Sequence, residues 1–436
     1  MAERRGSWKV GLCVAAALIC TATAVSAQIL GGRLGGVETL PGDILHNVPG
    51  TLNNTTQSLD NTLSNTQSVV RDAVGRPASP RAFERDVNGA RVVRGEVLAV
   101  APSDAALAAA KRLDFETIRQ ETMPSLGLSV VVLRAPDGMS VTDALAMLRK
   151  ADPSGTYDYN HIYDPSGGGA EAATSNGGAS ASGVARIGMI DAGVDRRHPA
   201  LFDAAIERKT FAGNGDGPPT EHGTAVASLL VGQDGDFHGA LGGATLYAAD
   251  VYGGAASGGS ADAIARALAW EAEKGVPVVN ISLAGPPNLL LAAATTAFVK
   301  RGHILVAAVG NDGPAAGIRY PAGYPGVVGV TSVDAHRAIQ LDANQGADVA
   351  FAARGVDVRA AVLHGGYRNV TGTSFAAPVV AARFALLMDK PDPAEAARAW
   401  TLLERAAVDL GPPGRNPIFG YGYLAPPAPL GLAQSQ

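Results

Sequence analysis

Cysteine is almost missing from this chain: Cys13 and Cys20 are its only two, and both lie in the first apolar stretch. Removal of that stretch would exclude disulfides, thiol nucleophiles and cysteine-ligated metals together. Aromatic residues are sparse at 5%, and neither sign of charge dominates, with 35 Lys plus Arg against 40 Asp plus Glu. Such a balance provides no basic field for nucleic acid. The sequence has no H-E-x-x-H pair for zinc, and no G-x-G-x-x-G follows a strand to hold a dinucleotide. Beyond the N-terminus, no apolar run is long enough to span a bilayer.

What is present divides the chain into six segments. Arg4, Arg5 and Lys9 precede an apolar run from Val10 to about Val25, and Val25-Ser26-Ala27 offers a small-residue cleavage site. Residues 1–27 therefore read as a signal peptide for export, secreted or periplasmic, with no membrane association after cleavage. An uncleaved membrane anchor is the alternative. The bulky Ile19 before Cys20 argues against a lipoprotein site. Residues 28–90 are rich in Gly, Asn, Thr and Ser without a core pattern, and read as a disordered spacer. Residues 91–164 alternate as β-α-β-β-α-β, a small ferredoxin-like α+β domain. Residues 165–183 form a Gly/Ser/Ala-rich, exposed linker. Residues 184–428 alternate strands and helices, and a tail of residues 429–436 closes the chain. Near-continuous Val/Ile/Ala strands are expected where a parallel sheet is covered on both faces. The larger domain is thus expected to be a three-layer α/β sandwich with a mainly parallel sheet.

Four residues in that domain carry the chemistry. Asp191 ends the apolar strand after Val184, where ligands of open α/β sheets bind. His222 opens a helix, and Asn311 follows the strand Leu305–Val309. Ser374 precedes an apolar helix read as Phe375 to Met388, with Pro378 in its first turn. A serine at a helix N-terminus has unpaired N–H groups beside it, ready for an oxyanion. Taken singly, each has a plainer reading: a turn aspartate, a histidine near a helix start, an Asn-Asp-Gly turn and a helix N-cap. Together they supply a nucleophile, a base, an orienting carboxylate and an oxyanion donor.

The ordered motifs resemble those of the subtilisin-like serine proteases. They are Asp191-Ala192-Gly193-Val194, His222-Gly223-Thr224 with Val226-Ala227, Asn280-Ile281-Ser282-Leu283-Ala284-Gly285, Gly310-Asn311, and Gly372-Thr373-Ser374 with Ala376 and Pro378. The resemblance runs from about Val184 to Leu424. It implies a serine endopeptidase acting on polypeptides, with Ser374 as nucleophile, His222 as base and Asp191 as orienting acid. Asn311 and the Ser374 N–H would form the oxyanion hole. Ser282, Leu283, Ala284 and Gly285 would pair with extended substrate. Ala308, Val309 and Gly310 would form the other wall of the pocket for the residue before the cut. Those small apolar walls imply an apolar or broad preference there.

The family also implies that residues 91–164 are a propeptide, an intramolecular chaperone and inhibitor, with self-cleavage between Tyr163 and Gly183. No cofactor is required for the chemistry; structural calcium is common in the family, but no site for it can be placed here. Three positions depart from the family pattern: Ala192 replaces Ser or Thr, Ala284 replaces glycine, and Phe375 replaces the methionine after the nucleophile. An α/β-hydrolase is excluded by motif order, since the last histidine, His364, precedes Ser374.

Overall fold

A computed structural model describes residues 82–170, 179–180, 185–212, 217–254 and 258–427. The signal peptide, most of the spacer and the tail lie outside the described residues.

The smaller domain is built from β1 (Phe83–Arg85), β2 (Arg91–Val100), α1 (Asp104–Arg112), β3 (Glu116–Met123), β4 (Leu128–Arg134), α2 (Val141–Ala151) and β5 (Thr156–His161). Ser103 and Ser140 cap the two helices by accepting from Ala106 N and Asp143 N. The four long strands lie in the order β5-β2-β4-β3, the split βαβ arrangement expected from the sequence. The boundary expected at residue 91 falls inside this unit. Phe83–Arg85 pairs antiparallel with Arg91–Val93, and Asp86 is buried against His161 at 3.2 Å.

The larger domain follows as β6 (Asp164–Pro165), β7 (Gly168–Ala170), β8 (Arg186–Asp191), β9 (Ile206–Thr210), α3 (Glu221–Val231), β10 (Thr245–Asp250), α4 (Ala261–Glu273), β11 (Val278–Ile281), β12 (Leu283–Ala284), α5 (Leu289–Lys300), β13 (Ile304–Ala308), β14 (Val328–Val333), β15 (Val349–Arg354), β16 (Val358–Ala361), β17 (Tyr367–Thr371), α6 (Thr373–Ala385) and α7 (Pro393–Ala406). Seven of these strands form one parallel sheet in the order β9-β10-β8-β11-β13-β14-β15. The period-2 alternation of each strand feeds two cores. Ile187, Met189, Ile304 and Val306 pack with α3 and α6 on one face. Ile190, Val279, Leu305 and Ala307 pack with α4 and α5 on the other. Both faces are thereby covered, as the three-layer expectation requires.

The smaller sheet uses its two faces in the same way. Val97 and Ala99 pack on its own helices, while Leu98, Val100, Val130 and Val132 join the core that holds α4 and α5. Polar groups set the register of this docking. Asp158 Oδ2 accepts from Leu289 N at 2.7 Å, at the start of α5. Asn160 Oδ1 accepts from Asp262 N at 3.2 Å, at the start of α4. Two helix ends of the large domain are thus satisfied by β5 of the small one. Arg119 also donates to the buried Asp262 carboxylate at 2.5 Å.

Helix α6 begins two residues earlier than expected, so Pro378 lies inside it rather than in its first turn. A proline there leaves the carbonyl of residue i−4 without its amide partner. That carbonyl belongs to Ser374, and the Ser282 hydroxyl donates to it at 2.9 Å.

Candidate active site

Asp191 closes β8 and is fully buried. Its Oδ1 accepts from the Ala192 amide at 2.7 Å and faces His222 Nδ1 at 2.9 Å. His222 stands in the first turn of α3, behind the Thr220 cap that accepts from Gly223 N. With Nδ1 engaged as donor, Nε2 is left as the acceptor, the tautomer a general base needs. Nε2 has no hydrogen-bond partner among the described residues.

Ser374 is fully buried in the first turn of α6. Its hydroxyl donates to the Ser282 carbonyl at 3.0 Å and does not bond to Nε2. The next residue, Phe375, sets its ring 5.4 Å from the His222 imidazole at an interplanar angle of 45°. The nucleophile candidate and the base candidate therefore lie on adjoining helix starts.

Asn311 follows β13. Its Oδ1 accepts from Thr373 N and from Gln340 Nε2, both at 3.1 Å. This fixes which end of the amide carries the free N–H₂. The Asn311 Nδ2 lies 3.4 Å, and the Ser166 carbonyl oxygen 2.8 Å, from the point a Cβ on Gly372 would occupy. Gln340 was not legible as a site residue. It lies 29 positions from Asn311, in no motif, and is 6% exposed.

The cleft holds a segment of the chain itself. The expected exposed linker begins instead as a paired strand. β6 runs antiparallel to β12, with Pro165 opposite Leu283 and Asp164 opposite Ala284. Ser166 N donates to the Ser282 carbonyl at 3.2 Å, and the Ser166 carbonyl accepts from Ser374 N at 3.1 Å. Beyond it, β7 pairs with β17, placing Gly168 opposite Thr371. The segment thus crosses the nucleophile as continuous chain, one strand on either side.

Upstream, Tyr163 is fully buried. Its hydroxyl donates to the Pro286 carbonyl at 2.7 Å, and its amide donates to Gly259 O at 2.8 Å. Its ring lies where a side chain on Gly285 would go, 2.5 Å from the nearest ring carbon. Gly285 also bridges to Tyr320. Ala308 and Val309 are buried at the end of β13, beside β11, and Gly310 follows them with φ +109°.

Among the described residues no three His, Cys, Asp or Glu side chains form a metal-binding group. The Asp234 carboxylate accepts from Tyr367, and that of Asp236 from Arg359. No described helix is long and apolar enough to cross a membrane.

Asp191 and His222 face each other at 2.9 Å and Ser374 begins the adjoining helix, beside a seven-stranded parallel sheet, an arrangement compatible with the subtilisin-like serine proteases. The subtilase family model matches residues 182–422, and the chain belongs to that family. Subtilisin Savinase from Lederbergia lenta is 34% identical over 262 residues, 58% of this chain and 92% of that protein. Subtilisin DY from Bacillus licheniformis is 31% identical over 237 residues, covering 52% of this chain and 84% of that protein. Among solved structures, fervidolysin from Fervidobacterium pennivorans superposes with a TM-score of 0.66 at 19% identity, over 79% of this chain and 62% of that one. The epidermin leader peptide processing protease of Staphylococcus aureus gives a TM-score of 0.62 at 17% identity, over 76% and 97%. These two likenesses speak to the fold alone. The chain is a serine-type endopeptidase that acts on polypeptides.

Proposed function

We propose that this chain is an exported precursor that cuts itself between Ser166 and Gly167, and then hydrolyses other polypeptides with the same residues. One observation carries the reading: the Ser166 carbonyl accepts the Ser374 N–H while its flanking strand pairs antiparallel with β12. That is the posture of a residue about to lose its peptide bond.

In the proposed step, the Ser374 hydroxyl turns from the Ser282 carbonyl to His222 Nε2. Oγ attacks the Ser166 carbonyl carbon as Nε2 takes its proton. Asp191 holds the imidazole and stabilises its charged form. The oxyanion is stabilised by Ser374 N and Asn311 Nδ2. The proton passes from Nε2 to the Gly167 nitrogen as the C–N bond breaks. Water then releases the acyl group, and residues up to Ser166 become the new end of the propeptide. The propeptide acts as folding chaperone and as inhibitor, held by the large apolar face that Leu98, Val100, Val130 and Val132 bury on α4 and α5. A parallel sheet with many distant pairings folds slowly unaided, which gives a chaperone a task.

Ser282 to Gly285 bind the substrate strand. Ala308, Val309 and Gly310 line the pocket for the residue before the cut. The chemistry requires no cofactor. The test is fluorophosphonate labelling of purified protein: Ser374 takes the label and Ser374→Ala does not. Labelling that survives Ser374→Ala would remove the assignment.

A further inference from the structure

We infer that Phe375 is a specificity-determining residue that restricts the position after the cut to glycine. The inference rests on the reading that Ser166–Gly167 is the bond cleaved. A Cβ built on Gly167 would lie 2.6 Å from Phe375 Cε2, 3.1 Å from Cζ and 3.3 Å from Cδ2. Carbon atoms of an L-residue do not tolerate the first of these distances, so either the ring or the backbone must move.

Neither has room. The ring is 2% exposed and lies against the His222 imidazole. Pushing it away disturbs the packing around the imidazole. Gly167 also lies close to the Gly372 backbone: a Cβ on Gly372 would come within 2.6 Å of Gly167 Cα. The backbone cannot slide either. Ser166 is tied to Ser374 N and Ser282 O, and Gly168 is registered against Thr371. A residue without a side chain avoids the clash with the ring. The chain supplies one, in the run Ser166-Gly167-Gly168-Gly169.

The substrates this favours carry glycine on the leaving side of the cut, which makes Gly-rich polypeptides the preferred class. The filter works by exclusion rather than by added attraction. It arises where this chain has replaced the flexible thioether common in its family with a rigid ring.

Peptides spanning residues 160–172, with Gly, Ala or Leu at position 167, test this on the mature enzyme. Overpacking of this kind predicts kcat/KM lower by about tenfold for Ala and by about a hundredfold for Leu, relative to Gly. Phe375→Met, close in volume to the original, should shrink both ratios. Equal rates for the three peptides, with fragment masses placing the cut at 166–167, would overturn the filter and leave the processing bond intact. Unchanged discrimination in Phe375→Met would overturn it as well. A cut elsewhere in the Gly peptide removes the processing-bond reading and the filter together. In the full-length precursor, Gly167→Leu should slow self-cleavage by about a hundredfold. Cleavage at the wild-type rate would contradict the inference by an independent route.

Discussion

The carbonyl of Ser166 and the backbone amide of Ser374 are hydrogen-bonded at 3.1 Å, across 208 positions of sequence. This contact ties the segment that follows the smaller domain to the start of α6. In the proposed self-cleavage, this contact makes the linker the first substrate.

Loss of the nucleophile should cost more than loss of the orienting acid. Ser374→Ala is expected to lower kcat by about 10⁶-fold, the loss seen when a subtilisin loses its nucleophile. Asp191→Asn should cost about 10⁴-fold, because the imidazole then loses its tautomer and its counter-charge. Steady-state kinetics on a peptide substrate measures both.

Asn311→Leu should lower kcat by about 10²–10³-fold with KM little changed, the signature of a donor used only in the transition state. Gln340→Ala should have a smaller effect of the same kind, about fivefold to tenfold, because it frees the amide that Thr373 N then holds alone. Gln340 is a positioning residue. If its loss raised KM instead of lowering kcat, that role would be wrong.

Tyr163 should act as an anchor three residues before Ser166. Its fully buried ring and the bond from its hydroxyl to Pro286 O give one site a large share of the binding. Burial of a large apolar side chain is worth about 1.5–3 kcal/mol. Peptides with Tyr at this place should therefore exceed those with Ala by roughly ten- to hundredfold in kcat/KM. Gly285→Val should erase the preference by filling the space the ring occupies.

Glu271 predicts a pH effect on stability. It lies on α4, fully buried beside Gly188, and neither carboxylate oxygen has a hydrogen-bond partner among the described residues. Burial pushes its carboxyl well above the usual range, opposed by the Met189 amide and supported by Glu207. A raised acid binds its proton more tightly in the folded chain. Its contribution is complete below the ordinary value of 4.5 and is lost as pH rises toward the folded value. The slope in that window approaches about 1.4 kcal/mol per pH unit. Glu271→Met should raise the unfolding midpoint at pH 8 and flatten its decline with pH. A variant with the same pH slope as the parent would show that the carboxyl is not the cause.

Much of the fold was legible because it is written in local periodicity. The β-α-β-β-α-β order, the five central strands and the five longest helices of the large domain appear within a few residues of their expected places. The edge strands were missed. Ile206–Thr210 carries Glu207, Arg208 and Lys209, exposed residues that read as a loop, and only pairing with Thr245–Asp250 makes it a strand. Outside the seven-stranded sheet, Tyr367–Thr371 was missed too; it is the middle strand of a small sheet, paired with Val358–Ala361 on one side and Gly168–Ala170 on the other. Asp191, His222, Asn311 and Ser374 could be found because each sits at an element end with its own motif. Gln340, Tyr163 and Ser166 could not, since each matters through a partner distant in sequence: the Asn311 side chain, the Pro286 carbonyl and the Ser374 amide. Phe375 was visible only as a departure, and its consequence depends on where Gly167 is threaded.

The account is tested most directly by sequencing the N-terminus of the product formed when purified wild-type precursor matures, beside Ser374→Ala carried through the same steps. It predicts a wild-type product beginning at Gly167 and a variant that stays uncut. A wild-type product that retains residues 82–166, or a variant cut at the same bond, would contradict it.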